Sequence, residues 1–256
     1  MDAAITLLFL AWSSAPLAEV TVAGQGPFRF LVDTGTESSV AEPEVARRAG
    51  LRPEYRVEVA TVNGSLLVPA RSAVAVSHPA VTGAWDVELL WYPLDAVRRA
   101  VPEAQGVLGM NALRGHSLLL DFRSGTAHFD LAPAEPGVAL PFAWLGGRLA
   151  VNAVVDGRPR RLILDSGASH LVLFGEAPAS EHESALLSTN DTSVQRTHRH
   201  VLRPLGISDD RALELIATRI RPIVSRPTYT QAACSSRCSM WGRSRSSTRR
   251  NSRCSC

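Results

Sequence analysis

Along the first half of the chain, apolar residues fall mainly on alternate positions, in short runs broken by Gly, Pro, Asn and Asp. A period of two marks half-buried β-strands, because successive side chains point to opposite faces of a sheet. The stretch YRVEVATVNGSLLVPARSAVAV (55–76) predicts two strands around Asn63-Gly64, a dipeptide suited to a tight hairpin turn. WDVELLWY (85–92) predicts another strand, and GVLGMNALRGHSLLLDFRSGTAHFD (106–130) a glycine-punctuated turn followed by a hairpin. Only AEPEVARRAG (41–50), stopped by Gly50, and LDAVRRAV (94–101) read as short helices. Many short strands and few helices predict an all-β fold.

One strand departs from alternation. FLVDTGTESSV (30–40) is a continuous apolar run that ends in Asp33-Thr34-Gly35. A carboxylate directly after a buried strand is costly unless it is partnered. A partner is found half a chain away. VAGQGPFRFLVDTGTESSV (22–40) aligns without a gap on VVDGRPRRLILDSGASHLV (154–172) at an offset of 132. The matches are Val22/Val154, Pro27/Pro159, Arg29/Arg161, Asp33/Asp165, Gly35/Gly167 and Val40/Val172. In both copies a turn, Gly24-Gln25-Gly26 or Asp156-Gly157, joins two apolar strands as in a hairpin. A single DTG is a common tripeptide; two in the same context predict a duplicated unit.

LAPAEPGVALPFA (131–143) reads as the junction between the copies. The second copy starts well and then loses its periodicity, although ALLSTNDTSVQRTHRHV and LRPLGISDDRALELIATRIRPIV still read as strands, with a turn at Asn190-Asp191. After Pro227 the chain turns to Ser, Arg and Cys, with eight serines in the last 26 residues. Such a tail is either a basic interaction segment or the product of a GC-rich gene read out of frame.

Composition refines this picture. An apolar content of 45% supports a real core, and 20% charged residues exclude wholesale disorder. All 27 bases are arginine, and six of them lie beyond Gln231 with no acid beside them. The remaining 21 bases against 24 acids make the body mildly acidic, so no basic patch points to nucleic acid. The four cysteines, Cys234, Cys238, Cys254 and Cys256, all lie in the tail, which leaves the body without thiol or disulfide chemistry. At the N-terminus, AAITLLFLAWSSAPLAEV reads either as a signal peptide, despite an acidic rather than basic start, or as a first strand. Export to the periplasm or medium is the first expectation, and a cytoplasmic location the other. No other stretch approaches the roughly eighteen apolar residues of a membrane helix.

The paired FLVDTGTESSV and LILDSGASHLVLF, with GVLG downstream of the first, resemble the retropepsin/pepsin-type aspartic peptidases, and most of all the bacterial retropepsin-like aspartyl proteases. The resemblance covers residues 20 to 130 well, 140 to about 225 in part, and not the tail. It implies two pseudo-symmetric acid-protease lobes: a candidate signal peptide at 1–18, a DTG lobe at 19–132, a truncated DSG lobe at 140–228, and a tail at 229–256 that is disordered or frameshifted.

It also implies Asp33 and Asp165 as a catalytic dyad, with Thr34 and Ser166 bracing the two loops and Gly35 and Gly167 letting the backbone come close. Val107, Leu108 and Gly109 form the strand behind the first loop, and Val62, Asn63, Gly64 and Ser65 sit where a flap would, or in an ordinary surface hairpin. Two carboxyls sharing one proton suit peptide hydrolysis: the ionised one takes a proton from water while the protonated one donates to the carbonyl oxygen. Such a dyad is itself the standard illustration of coupled carboxyl titration. The implied partner is a peptide or protein substrate, with no cofactor, metal, nucleic acid or membrane span. A chain holding both aspartates implies a two-lobed monomer, with a dimer as the alternative.

Two departures stand out. Thr36 replaces the family's usual Ala after DTG, and the second half has no Val-Leu-Gly equivalent. The second departure leaves a catalytically inactive, peptide-binding protein of the same fold as the rival reading. His170 follows the second motif, where it either perturbs the dyad or faces solvent; His198-Arg199-His200 reads as a solvated edge, and Trp85, Trp91 and Trp144 as core or cleft wall. Ser166 does not lie in a G-x-S-x-G elbow, so it is not read as a nucleophile.

Overall fold

A computed structural model describes residues 5–7, 15–61, 64–131, 140–155, 158–168, 171–174, 182–187, 192–204 and 213–220. The strands of the first half are β2 (Leu17–Val22), β3 (Gln25–Val32), β4 (Ser39–Ala41), β5 (Tyr55–Thr61), β6 (Gly64–Ser77), β7 (Trp85–Trp91), β8 (Gly106–Leu108), β9 (Leu118–Asp121) and β10 (Thr126–Phe129). They form one nine-stranded sheet in the order β5-β6-β7-β4-β8-β3-β2-β10-β9. The second sheet has eight strands: β1 (Ile5–Leu7), β11 (Phe142–Leu145), β12 (Arg148–Val155), β13 (Arg158–Leu164), β14 (Leu171–Phe174), β15 (His182–Leu187), β16 (Thr192–Pro204) and β17 (Leu213–Ile220). Its order is β11-β12-β13-β1-β14-β17-β16-β15. Among the described residues the helices are short: α1 (Pro43–Arg48), α2 (Asp95–Ala100) and α3 (Met110–Leu113). The protein is all-β, as its alternation predicts.

The run Phe28 to Val32 is continuously apolar near its end because β3 is covered on both faces. Phe28, Phe30 and Val32 enter one core cluster with Leu89, Trp91 and Phe129, while Leu31 enters another with Val40, Leu90 and Val107. β8 lies parallel to β3, pairing Phe30 with Gly106, Leu31 with Val107 and Val32 with Leu108. Burying a Phe or Leu side chain fully contributes about 1.5–3 kcal/mol, so these strands anchor the loop that follows them. β6 serves three neighbours in turn, β5, β7 and β2, and bends at a bulge between Arg71 and Val74 where Ala73 adopts φ +50°.

Three local readings differ from the sequence expectation. The β2–β3 turn is the two-residue Ala23-Gly24, with φ +48° and +75°, rather than Gly24 to Gly26. That pair of positive φ values matches the twist of the flanking strands. Met110–Leu113 is helical rather than a plain turn, for reasons given below. The expected junction ends early, since Phe142 and Ala143 already pair with Val151 and Ala150. The Asn190-Asp191 turn and the tail lie outside the described residues.

Candidate active site

β3 ends at Val32 and β13 at Leu164, and each hands the chain to an aspartate loop. The two loops grip each other through four reciprocal hydrogen bonds. Thr34 Oγ1 donates to the Leu164 carbonyl (2.8 Å), and Ser166 Oγ donates to the Val32 carbonyl (2.7 Å). In return, the Thr34 N–H donates to Ser166 Oγ (3.0 Å) and the Ser166 N–H to Thr34 Oγ1 (3.1 Å). Every donor and acceptor maps onto its counterpart at the 132-residue offset that relates the two motifs. Thr34 is 5% exposed and Ser166 fully buried, so no water stands ready to replace these bonds.

The grip brings the two carboxyls together. A Cβ added to Gly35 would overlap the Asp165 carboxyl, and one added to Gly167 would lie 2.5 Å from Asp33 Cγ. Glycine is therefore required at both positions by close approach. Each carboxylate also accepts from its own loop: Gly35 N–H to Asp33 Oδ1 at 2.8 Å, and Gly167 N–H to Asp165 Oδ1 at 2.9 Å. Burial pushes Asp33 above its ordinary value, against backbone hydrogen bonds from Gly35, Gly167 and Thr36 and a hydrogen bond with Asp165 that favour its anion. Asp165 is raised well above the ordinary range, first by burial and then by the charge and hydrogen bond of Asp33. Both carboxyls are thus harder to ionise than a free aspartate, and like charges this close disfavour a doubly ionised pair.

The first loop is braced from behind. The Asp33 N–H donates to the Leu108 carbonyl (3.0 Å), which ties Val107-Leu108 to the motif. A Cβ on Gly109 would sit 2.5 Å from the Ser38 carbonyl oxygen, so the loop lies directly on this glycine. The N–H groups of Met110 and Asn111 donate to the carbonyls of Thr36 and Glu37, each at 2.9 Å. A helix leaves its first N–H groups unpaired, and here the aspartate loop pairs two of them, which explains why α3 is helical.

Two further positions were not singled out from the sequence. Asn111 Oδ1 accepts from the N–H (3.0 Å) and hydroxyl (2.7 Å) of Ser39, and Asn111 Nδ2 donates to the Glu88 carbonyl (2.8 Å). The fully buried Ser39 hydroxyl in turn accepts from the Gly109 N–H (3.1 Å). A serine within an apolar strand, and an Asn two residues past GVLG, are the signals that mark them. At the 132 offset, Leu171 stands where Ser39 stands.

Other sequence candidates are placed as follows. Val62 and Asn63 lie outside the described residues; Gly64 pairs with Thr61, and Ser65 is exposed beside Ala60 on the same hairpin. His170 and the side chains of His198, Arg199 and His200 are also outside the described residues. Trp91 is in the core, and Trp85 Nε1 donates to His116 Nε2 (2.8 Å). Trp144 is half exposed, with the Arg114 guanidinium 4.8 Å from its ring centre.

The described residues thus form an all-β chain with two interlocked Asp-Thr/Ser-Gly loops and adjoining carboxyls. A family model described as aspartyl protease matches residues 18–112, and this supports the retropepsin-like aspartyl protease family. The matched segment holds Asp33, Ser39, Val107 to Gly109 and Asn111, and stops short of Asp165. Among solved structures, the crystal structure of a retropepsin-like aspartic protease from Rickettsia conorii is similar, at 16% identity and a TM-score of 0.32, over 47% of this chain and 95% of that one. No curated protein matches.

Proposed function

We propose that this protein is an aspartic-type endopeptidase in which Asp33 and Asp165 act as a dyad on a bound water. The observation that carries the reading is the reciprocal Thr34–Ser166 grip, which sets two carboxyls against each other. Asp33, ionised, takes a proton from the water as it attacks the scissile carbonyl carbon. Asp165, protonated, donates to the carbonyl oxygen, giving a neutral gem-diol. The proton taken by Asp33 then passes to the leaving nitrogen as the C–N bond breaks, and Asp165 recovers its proton from the diol hydroxyl. Protons balance over the cycle, and the substrate forms no covalent bond to the protein. Both aspartates come from one chain, which favours a two-lobed monomer over an obligate dimer.

A second reading, a peptide-binding protein of the same fold without catalysis, draws on the asymmetry of the loops. The Ser39–Asn111 brace belongs to the first loop, and Leu171 takes the serine's place in the second. Hydrolysis of an unstructured polypeptide from acid to neutral pH separates the two. The catalytic reading expects turnover that Asp33→Asn abolishes and a statine-type transition-state analogue inhibits. Turnover unchanged by that substitution, or binding of peptides without turnover, overturns it.

A further inference from the structure

In the first half, β8 lies between the aspartate-bearing strand and the strand after the loop. It runs parallel to β3, and antiparallel to β4 through Val40 and Val107. The second half has no Val-Leu-Gly segment downstream of Asp165, yet the equivalent place is filled. β1 runs parallel to β13, pairing Ile5 with Leu162, Thr6 with Ile163 and Leu7 with Leu164. It also runs antiparallel to β14 through Thr6 and Val172. Adding 132 to Phe30, Leu31, Val32 and Val40 gives Leu162, Ile163, Leu164 and Val172. Ile5-Thr6-Leu7 therefore meets, in the second half, the counterparts of four of the five residues that Gly106-Val107-Leu108 meets in the first, the fifth being Ala41.

We propose that the N-terminal segment is a working part of the second aspartate site: it supplies, from the opposite end of the sequence, the strand that supports the Asp165 loop, and it is retained in the functional protein. The physical need is plain. β13 and β14 would otherwise face each other across a gap, with backbone N–H and C=O groups unpaired beneath the loop. A short apolar strand closes that gap on both sides at once. Cleavage after Ala18, as a signal peptide requires, would remove it, so the two fates of this segment exclude each other. Ile5–Leu7 is a positioning element, and only its consequence for turnover rests on the peptidase reading.

Hydrogen exchange on the full chain tests the placement without reference to activity. Thr6→Pro removes an N–H and disrupts pairing, while Thr6→Val keeps the backbone intact. The expected result is that Thr6→Pro speeds exchange at residues 162–164 by about tenfold or more, leaves residues 30–32 unchanged, and is not reproduced by Thr6→Val. Unchanged exchange at 162–164 overturns the proposal, as does an intact mass showing that the purified protein lacks residues 1–18. Should Thr6→Pro loosen both halves, a cysteine pair decides. In a chain with its four tail cysteines changed to serine, Thr6→Cys with Val172→Cys is expected to form an internal disulfide under mild oxidation, as facing strand positions allow. Failure of that pair to close overturns the placement. If exchange and cross-linking succeed while no peptide is ever cleaved, the strand assignment stands and the peptidase reading falls.

Discussion

Replacing Thr34 by Val is the sharpest structural perturbation of the site, because it preserves shape and removes one oxygen. That oxygen donates to the Leu164 carbonyl at 2.8 Å and accepts from the Ser166 N–H at 3.1 Å. Both partners are left without a bond in a region where Ser166 is fully buried. An unsatisfied buried polar group costs about 1–3 kcal/mol, so two put the loss at about 2–6 kcal/mol. Against a total stability of about 5–15 kcal/mol this is a large fraction. Thr34→Ser keeps the hydroxyl and is expected to cost less than about 1 kcal/mol. Ser166→Ala is expected to resemble Thr34→Val, because it orphans the Val32 carbonyl and Thr34 N–H in the same way. The double variant should cost less than the two singles together, with a coupling of about 0.5–3 kcal/mol, since each single already loosens the partner loop. Urea unfolding followed by tryptophan fluorescence measures all four variants. Losses below about 0.5 kcal/mol for Thr34→Val and Ser166→Ala, or strict additivity, would refute the interlocked grip.

Further expectations concern charge, space and bracing. Both aspartates are raised on folding, so the stability they contribute is complete below the ordinary value of 3.8 and is lost as pH rises through their folded values. Thermal melts across that window should therefore fall more steeply with pH for the native protein than for Asp165→Asn; the opposite slope would contradict the buried pair. Gly35→Ala and Gly167→Ala, whose new methyl groups would meet the opposing carboxyls, are each expected to lower kcat about 100-fold or more. Near-native turnover in either would show that the loops sit further apart. Asn111→Ala forfeits its bonds to Ser39 and to the Glu88 carbonyl and should cost about 1–3 kcal/mol in the same urea assay.

The part of the molecule legible in the sequence is the part governed by short-range pattern. The run Phe30 to Val32 ending in Asp33 follows from burial on two faces, and its echo at Asp165 from the 132-residue offset in the sequence, so both strand type and the pairing of motifs could be read directly. Alternation likewise gave β5, β6 and β7, with Gly64 already paired to Thr61 at the start of β6 and the expected turn residues Val62 and Asn63 outside the described residues. What escaped depends on contacts distant in sequence. The helix Met110–Leu113 exists because the carbonyls of Thr36 and Glu37 cap its start, which no local propensity reveals. Ser39 and Asn111 are single polar residues whose meaning appears only when 72 residues of separation close. The N-terminal run ITLLFLA looks the same whether it is a leader or a strand, because both demand little more than apolar side chains. The register of Ile5–Leu7 against β13 and β14 is the observation on which the proposed strand role rests.

The central claim is that two carboxyls share one proton and together activate water. The pH dependence of kcat/KM for cleavage of an unstructured polypeptide, measured on the full chain beside Asp33→Asn and Asp165→Asn, tests it most directly. The expected result is a bell bounded by two separated ionisations for the native protein, and loss of turnover by at least about 100-fold in both variants. A bell that persists in either variant, or cleavage that survives in both, would contradict a shared dyad.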